Sequence, residues 1–351
     1  MKSNQPIRKI LIIKPRAVGD VLLSTPVAAN LRNTFPNAMI TFLTERGGAE
    51  ILRGSPWVDE VLLLEPGFLS RARLIGRLRK ERFDLVFDLF ANPGTALFTL
   101  LTGARLRIGY ALRFRRFGYT LAVRPRGGEV HNTDFNLDAL RALGIEPGKI
   151  PPQVFLDDEE RRFAAQFLRS QHAGARMVGL SICGGWETKR WRPLSFIELG
   201  RRIVREEDAS VIILYGPDEA EEAAMIAEGV GERSVLPPCT SLRELAALAE
   251  ACDVVISNDT GPMHIAAAVG TPVLAIFGPT RPELQGPVGA SHAVVRNESL
   301  ECLGCNLTKC PIGNICMTEL TPERVYEAYL ELSHDVAAEA QPAARIHEED
   351  Q

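Results

Sequence analysis

The stretch from Ile256 to Thr280, ISNDTGPMHIAAAVGTPVLAIFGPT, constrains the fold more than any other. Val254 to Ile256 end an apolar strand, Ser257 to Gly261 supply a turn, and Pro262 stands where a first helical residue can be proline without losing a hydrogen bond. A helix therefore begins near Pro262, and a second apolar run, Thr271 to Phe277, forms another strand. A strand, a slim helix and a further strand in so short a span form a parallel crossover, which needs a sheet covered on both faces.

Polar side chains in this stretch gather at one end. Ligands of open parallel α/β sheets bind at the carboxyl ends of the strands, where Asp259, Thr260, Gly261 and His264 fall. The helix start presents unsatisfied N–H groups and a partial positive charge, and Thr260 and Gly261 let an anion approach them. That reading is a phosphate seat; the plainer one is a capping Asp and a core His.

The same alternation runs through the chain. Strands are expected at Lys9–Ile13, Ala38–Leu43, Glu60–Leu64, Asp84–Asp88 and near Arg107–Tyr110. Helices are expected at about Asp20–Asn33, Ala49–Arg53, Leu69–Lys80 and Thr133–Leu143. After GIEPGKIPPQ, a linker by its Pro and Gly content, come strands at Met177–Ser181, Ser210–Tyr215, Asp253–Ser257 and Thr271–Phe277. Helices at Asp157–Ser170, Leu194–Arg205, Pro217–Glu228, Leu242–Ala251 and Pro322–Ser333 accompany them. The 351 residues suit two domains of roughly 150 residues each. The expected domains are 1–150 and 151–334, with a disordered tail at 335–351.

Charge divides along the same boundary. Residues 1 to 150 carry 23 Lys and Arg against 13 Asp and Glu, or +10, and the remainder carries 17 against 31, or −14. A basic half suggests an anionic partner, solvated helix faces being the alternative. Arg71, Arg73, Arg77, Arg79 and Lys80 crowd one helix, and Arg113, Arg115 and Arg116 follow a later strand. Lys14, Arg71, Arg73 and His131 are the candidate contacts to such a partner. A nucleic-acid partner is not expected.

The first loop, KPRAVGD, has a single glycine and lacks the GxGxxG of a dinucleotide-binding turn, so NAD is not expected. Asp20 can cap the helix that follows or serve as a catalytic base at the mouth of the sheet. In ICGGWETKRW, Gly184, Gly185, Thr188 and Lys189 can hold a pyrophosphate from the side facing Thr260 and Gly261, or KRWR is a surface patch. Glu219 can accept ribose hydroxyls or be a first-turn acid.

The chain opens with a short polar lead into a strand, with no apolar leader, so a cytoplasmic protein is expected. The odd cysteine count of seven agrees with a reducing compartment. Cys302, Cys305, Cys310 and Cys316 are bunched as C-x2-C-x4-C-x5-C, which admits a structural zinc, although the spacing is not that of a standard zinc ribbon.

KPRAVGDVLLSTPV, GGWETKRW and SNDTGPMHIAAAVGTPVLAIFGPT together resemble, in order and spacing, the three signatures of glycosyltransferase family 9, the lipopolysaccharide heptosyltransferases. The resemblance implies an α/β GT-B fold of two Rossmann-like parallel-sheet domains facing a central cleft, the first (1–150), with Lys14, Arg71, Arg73 and His131, binding the acceptor and the second (151–334) binding the nucleotide-sugar donor. It also implies inverting, metal-independent transfer of heptose from ADP-heptose to an anionic, lipid-linked core acceptor. By position, Asp20 becomes the base, Lys189 the phosphate partner, Glu219 a ribose contact, and Asp259, Thr260, Gly261 and His264 the donor group. Gly184 and Gly185 stand where some members have hydroxyl residues, so contacts there would be backbone ones. No cofactor or catalytic metal is expected, since no DxD motif is present. A monomer is expected, and peripheral contact at the inner face of the cytoplasmic membrane is compatible with the acceptor. The alternatives are transfer of another nucleotide sugar, a GT-B nucleotide-sugar epimerase and an inactive nucleotide-binding interaction module.

Overall fold

Runs of Ile, Leu, Val and Phe without polar alternation make strands that are buried on both faces, and helices must then cover both sides. A computed structural model describes residues 6–289 and 291–346, apart from the side chains of 113–115 and 340–346. It divides into two compact units between Phe155 and Leu156.

In the first unit the strands are β1 (Lys9–Ile13), β2 (Met39–Thr44), β3 (Glu60–Leu63), β4 (Leu85–Asp88), β5 (Leu106–Tyr110) and β6 (Leu121–Val123). They are all parallel and ordered β3-β2-β1-β4-β5-β6. The helices are α1 (Val18–Leu22), α2 (Thr25–Thr34), α3 (Arg46–Leu52), α4 (Phe68–Glu81), α5 (Pro93–Leu101) and α6 (Asn132–Ala142). One face is sealed by Val27, Leu31, Leu137 and Leu140 of α2 and α6. The other is sealed by Leu74 and Leu78 of α4 and Phe98 of α5.

The second unit repeats the plan. Its helices begin with α7 (Asp158–Ser170), α8 (Pro193–Glu207), α9 (Ala220–Val230), α10 (Leu242–Glu250) and α11 (Gly261–Ala268), followed by α12 (Pro282–Gln285), α13 (Ile315–Thr318) and α14 (Pro322–Ile346). The strands are β7 (Met177–Ser181), β8 (Ser210–Leu214), β9 (Ser234–Val235), β10 (Val254–Asn258), β11 (Val273–Ile276) and β12 (His292–Val295), ordered β12-β11-β10-β7-β8-β9 and again all parallel. Read from β9, this is the strand order of the first unit, the doubly wound Rossmann-like order. The fold is thus the expected GT-B class, with two six-stranded parallel sheets.

Several elements differ from the sequence expectation. The single helix expected over Asp20–Asn33 is two, because Ser24 and Thr25 donate their hydroxyls to the carbonyls of Val21 (2.6 Å) and Leu22 (2.8 Å). Such local side-chain bonds compete with the helical ladder. Helix α5 was not expected, since PGTALFTLL is apolar nearly all round and shows no helical period. The chain after Ser333 continues as α14 to Ile346, where a structureless tail from 335 was expected; residues 347–351 lie outside the described residues. Among the described residues no helix is long and apolar enough to cross a membrane.

Candidate functional site

A parallel sheet wound in opposite directions from two adjacent strands leaves a crevice at their carboxyl ends, and ligands bind there. In the second unit those strands are β7 and β10. Asn258, fully buried at the end of β10, ties the two together. Its amide donates to the carbonyls of Ile182 (3.1 Å) and Cys183 (3.2 Å), and its Oδ1 accepts from the Trp191 N–H at 3.1 Å. The sequence reading passed over this residue; its place directly before Asp259 was the available signal.

Lys189 and Asp259 are brought together as an ion pair, Nζ to Oδ2 2.7 Å, with side chains 13% and 5% exposed. The same oxygen accepts from Thr280 Oγ1 (2.6 Å) and Gln285 Nε2 (3.4 Å). Lys189 also lies 4.6 Å from the centre of the Trp186 ring, a cation–π contact that restricts the ammonium. Thr260 is the N-cap of α11, Gly261 is its first residue, and His264 is buried in its first turn. A fixed ammonium and a helix N-terminus at one strand end can together hold a phosphate group.

The neighbouring residues have more structural roles than the sequence suggested. The Gly184 N–H donates to Glu219 Oε1 (3.1 Å), the Gly216 N–H to Glu219 Oε2 (2.8 Å), and Arg190 reaches Glu219 Oε1 at 3.2 Å. Glu219 therefore braces the loop, and one N–H expected to face a pyrophosphate is taken. A Cβ on Gly184 would lie 2.2 Å from Arg190 Cγ, whereas one on Gly185 would meet nothing within 4 Å, so Gly185 marks the open side. Thr188 is buried and donates its hydroxyl to the Leu307 carbonyl at 2.9 Å.

Leu307 belongs to the cysteine-bearing loop, which is also stitched down by Gly304 N–H to Gly278 O (3.1 Å) and Asn306 N–H to Pro279 O (2.6 Å). This loop backs Thr188 on one side and the Thr280 turn on the other. All seven cysteines are free thiols; Cys302 and Cys305 are exposed, and Cys316 is buried. Burial, together with the neighbouring Cys302, Cys305 and Cys310, pushes the Cys316 thiol up to about 11. Among the described residues no three Cys, His, Asp or Glu side chains form a metal-binding group.

In the first unit the corresponding strands are β1 and β4. Lys14 follows β1 and is buried, donating from Nζ to the Leu89 carbonyl at 3.1 Å. Burial lowers its pKa, and Asp20 and Asp88 act against that. Asp88 ends β4, fully buried, and accepts from the N–H groups of Ala91 (2.8 Å) and Phe90 (3.2 Å) and from the Tyr119 hydroxyl (2.8 Å). Burial raises its pKa against those hydrogen bonds. Lys14 thus lies in the field of two carboxylates instead of being displayed to a ligand. Asp88 is a second residue that the sequence reading did not single out.

Asp20 is half-buried in α1, and its carboxylate accepts from the Ala17 N–H at 3.3 Å. The N-cap is Ala17, so Asp20 is the third helical residue reaching back, not the cap that one sequence reading made it. A cavity of about 730 Å³ opens at the ends of β2 and β3, lined by Arg16, Arg46 and Arg71 together with Glu45 and Glu65; Arg16 precedes Asp20 by four residues. Arg71 is thus at this mouth, whereas Arg73 is exposed on α4. His131 is the N-cap of α6, its Nδ1 accepting from the Thr133 N–H at 3.2 Å.

Residues 71–316 match the model of glycosyltransferase family 9 (heptosyltransferase). Lipopolysaccharide heptosyltransferase 2 of Escherichia coli K12 is 26% identical over 314 residues, 82% of this chain and 88% of that protein. Lipopolysaccharide heptosyltransferase 1 of Pseudomonas aeruginosa PAO1 is 26% identical over 355 residues, 90% and 96% of the two chains. Among solved structures, a glycosyltransferase family 9 protein from Veillonella parvula superposes with a TM-score of 0.84 at 22% identity, covering 94% of this chain and 98% of its own. The E. coli ADP-heptose heptosyltransferase II gives 0.76 at 22% identity, with 93% and 99% covered.

Proposed function

Because the chain belongs to glycosyltransferase family 9, we propose that it transfers heptose from ADP-heptose to an anionic, lipid-linked inner-core acceptor of lipopolysaccharide. The observation that carries this reading is the Lys189–Asp259 pair at the end of β10, beside the N-terminus of α11.

In the proposed reaction an acceptor hydroxyl attacks the anomeric carbon and the bond to the nucleoside diphosphate breaks. The hydroxyl proton passes to Asp20 and the electron pair leaves with the diphosphate. A single displacement inverts the anomeric centre. Negative charge grows on the leaving oxygens, where positive groups fixed in advance lower the barrier most. Lys189, oriented by Asp259 and Trp186, and the N–H groups at the start of α11 supply that charge, the role a divalent metal has in other transferases. Asp20 serves as general base, its orientation set by the Ala17 N–H.

The arginines around the cavity at the ends of β2 and β3 suit carboxylate and phosphate groups, which guanidinium binds in a bidentate manner. We assign the acceptor to this basic unit and the donor to the second. We place the reaction at the cytoplasmic membrane face, where a nucleotide-sugar donor and a lipid-linked acceptor can meet, and expect a peripheral monomer. The test is to incubate purified protein with a panel of nucleotide sugars and a deacylated core acceptor and read products by mass spectrometry. A product heavier by one heptose, from ADP-heptose alone, is expected; use of a different nucleotide sugar in its place would overturn the donor assignment.

A further inference from the structure

Large apolar side chains that lie open to water on a basic helix call for a partner, since soluble surfaces seldom leave them so. Phe68 is 84% exposed and Leu69 is 67% exposed, at the first two positions of α4. The helix continues with Arg71, Arg73, Arg77, Arg79 and Lys80 against one acid, Glu81. Leu74 and Leu78 turn inward onto the sheet. By helical spacing the opposite face then carries Leu69, Arg73, Gly76 and Lys80. Of the basic residues, Arg77 is paired with Glu60, while Arg71, Arg73, Arg79 and Lys80 form no salt bridge among the described residues.

The position of this helix matters as much as its composition. Helix α4 begins just after Pro66, which lines the cavity at the ends of β2 and β3, so its apolar tip is at the rim of that mouth. Helix α5, packed on the same sheet face through Phe98, adds Leu97 and Leu100, 43% and 38% exposed. The rest of α4, which is about 21 Å long over its 14 residues, is a basic stripe of about 18 Å. Apolar side chains at one end and cations along the face are the pattern of a helix lying at a bilayer surface.

We propose that the outward face of α4 docks on an anionic phospholipid surface. Phe68 and Leu69 enter below the headgroups at the rim of the acceptor mouth, and Arg73, Arg79 and Lys80 contact lipid phosphates. The use of this contact rests on the reading of a lipid-linked acceptor, whose sugar can then reach Asp20 while its acyl chains stay in the bilayer. The binding itself does not depend on that reading.

Flotation of the full-length protein with vesicles tests it. Wild type is expected to float with phosphatidylethanolamine vesicles containing about one third phosphatidylglycerol, not with phosphatidylcholine alone, and to be released by raised salt. Phe68→Ser/Leu69→Ser is expected to lower the partition coefficient at least tenfold. Arg79→Glu/Lys80→Glu should lower it by roughly fivefold for each charge removed. The apolar variant should turn over a deacylated acceptor like wild type but lose rate on acceptor embedded in vesicles. Circular dichroism and the ADP thermal shift confirm that each variant is folded. Wild type failing to bind the anionic vesicles, or the apolar variant binding equally well, overturns the proposal. So does a concentration-dependent dimer that the apolar variant abolishes without any vesicle binding. Flotation needs no turnover, so a failure of the heptosyl assignment leaves it standing and is recognised separately.

Discussion

Lys189 Nζ stands 2.7 Å from Asp259 Oδ2 and links the loop after β7 to the end of β10. Both side chains are nearly buried, so the pair is held by geometry that water does not dissolve. Removing one partner of a buried pair leaves an uncompensated charge and costs about 3–5 kcal/mol. Lys189→Met is therefore expected to lower the melting temperature, weaken ADP binding at least tenfold and reduce turnover on the order of a hundredfold. Calorimetry and steady-state kinetics check this; turnover within threefold of wild type would remove Lys189 from the leaving-group assignment.

The nucleotide can be identified without any acceptor. A ligand bound only by the native state at a hundred times its dissociation constant adds about 2.7 kcal/mol of stability. ADP is expected to raise the melting temperature by several degrees, and UDP and GDP by less. Asp259→Ala should abolish most of that shift. A larger shift with UDP would contradict the ADP-heptose assignment.

How much of this was legible beforehand depends on where the information lies. Strands β1 and β7 have the bounds that the sequence predicts, because each is a continuous apolar run closed by polar or small residues. The two-residue β9 and three-residue β6 are too short to show a pattern; tertiary pairing makes them strands. The Asp259 to His264 group was legible because it is contiguous. Asp88 was not, since its hydrogen-bond partner Tyr119 lies thirty-one residues away and is delivered by the β5–β6 crossover. The bracing by Glu219 and Thr188 likewise depends on partners, Gly184 and Leu307, that no local spacing reveals.

Removal of metal ions should leave transfer unchanged. In the proposed mechanism Lys189 and the α11 N-terminus provide the positive charge that the leaving diphosphate needs, so EDTA is expected to alter neither turnover nor the melting temperature. Loss of activity that magnesium restores would contradict this. A fall in melting temperature alone would show metal held at the cysteine-bearing loop.

Thiol labelling reports on that loop. At pH 8 Cys239, Cys302 and Cys305, all exposed, are expected to react with iodoacetamide within minutes, whereas Cys183, Cys252 and Cys316 are buried and should be protected. The Cys316 thiol, pushed up to about 11 by burial and its neighbouring cysteines, is only about a thousandth thiolate at pH 8. Its labelling should rise as pH approaches 11. Mass spectrometry of the peptides reads this directly, and rapid modification of Cys316 at pH 8 would contradict the packing of α13.

The most direct test is the turnover of Asp20→Asn with ADP-heptose and acceptor, measured beside ADP affinity. Asn retains an oxygen to accept from the Ala17 N–H, so α1 should stay folded, but it cannot take the acceptor's proton. Loss of a positioned base costs on the order of a hundredfold to ten-thousandfold in rate. The expected result is a folded protein with wild-type ADP affinity and turnover reduced at least a hundredfold. Turnover within threefold of wild type would contradict the account and leave Asp20 with only its bond to Ala17.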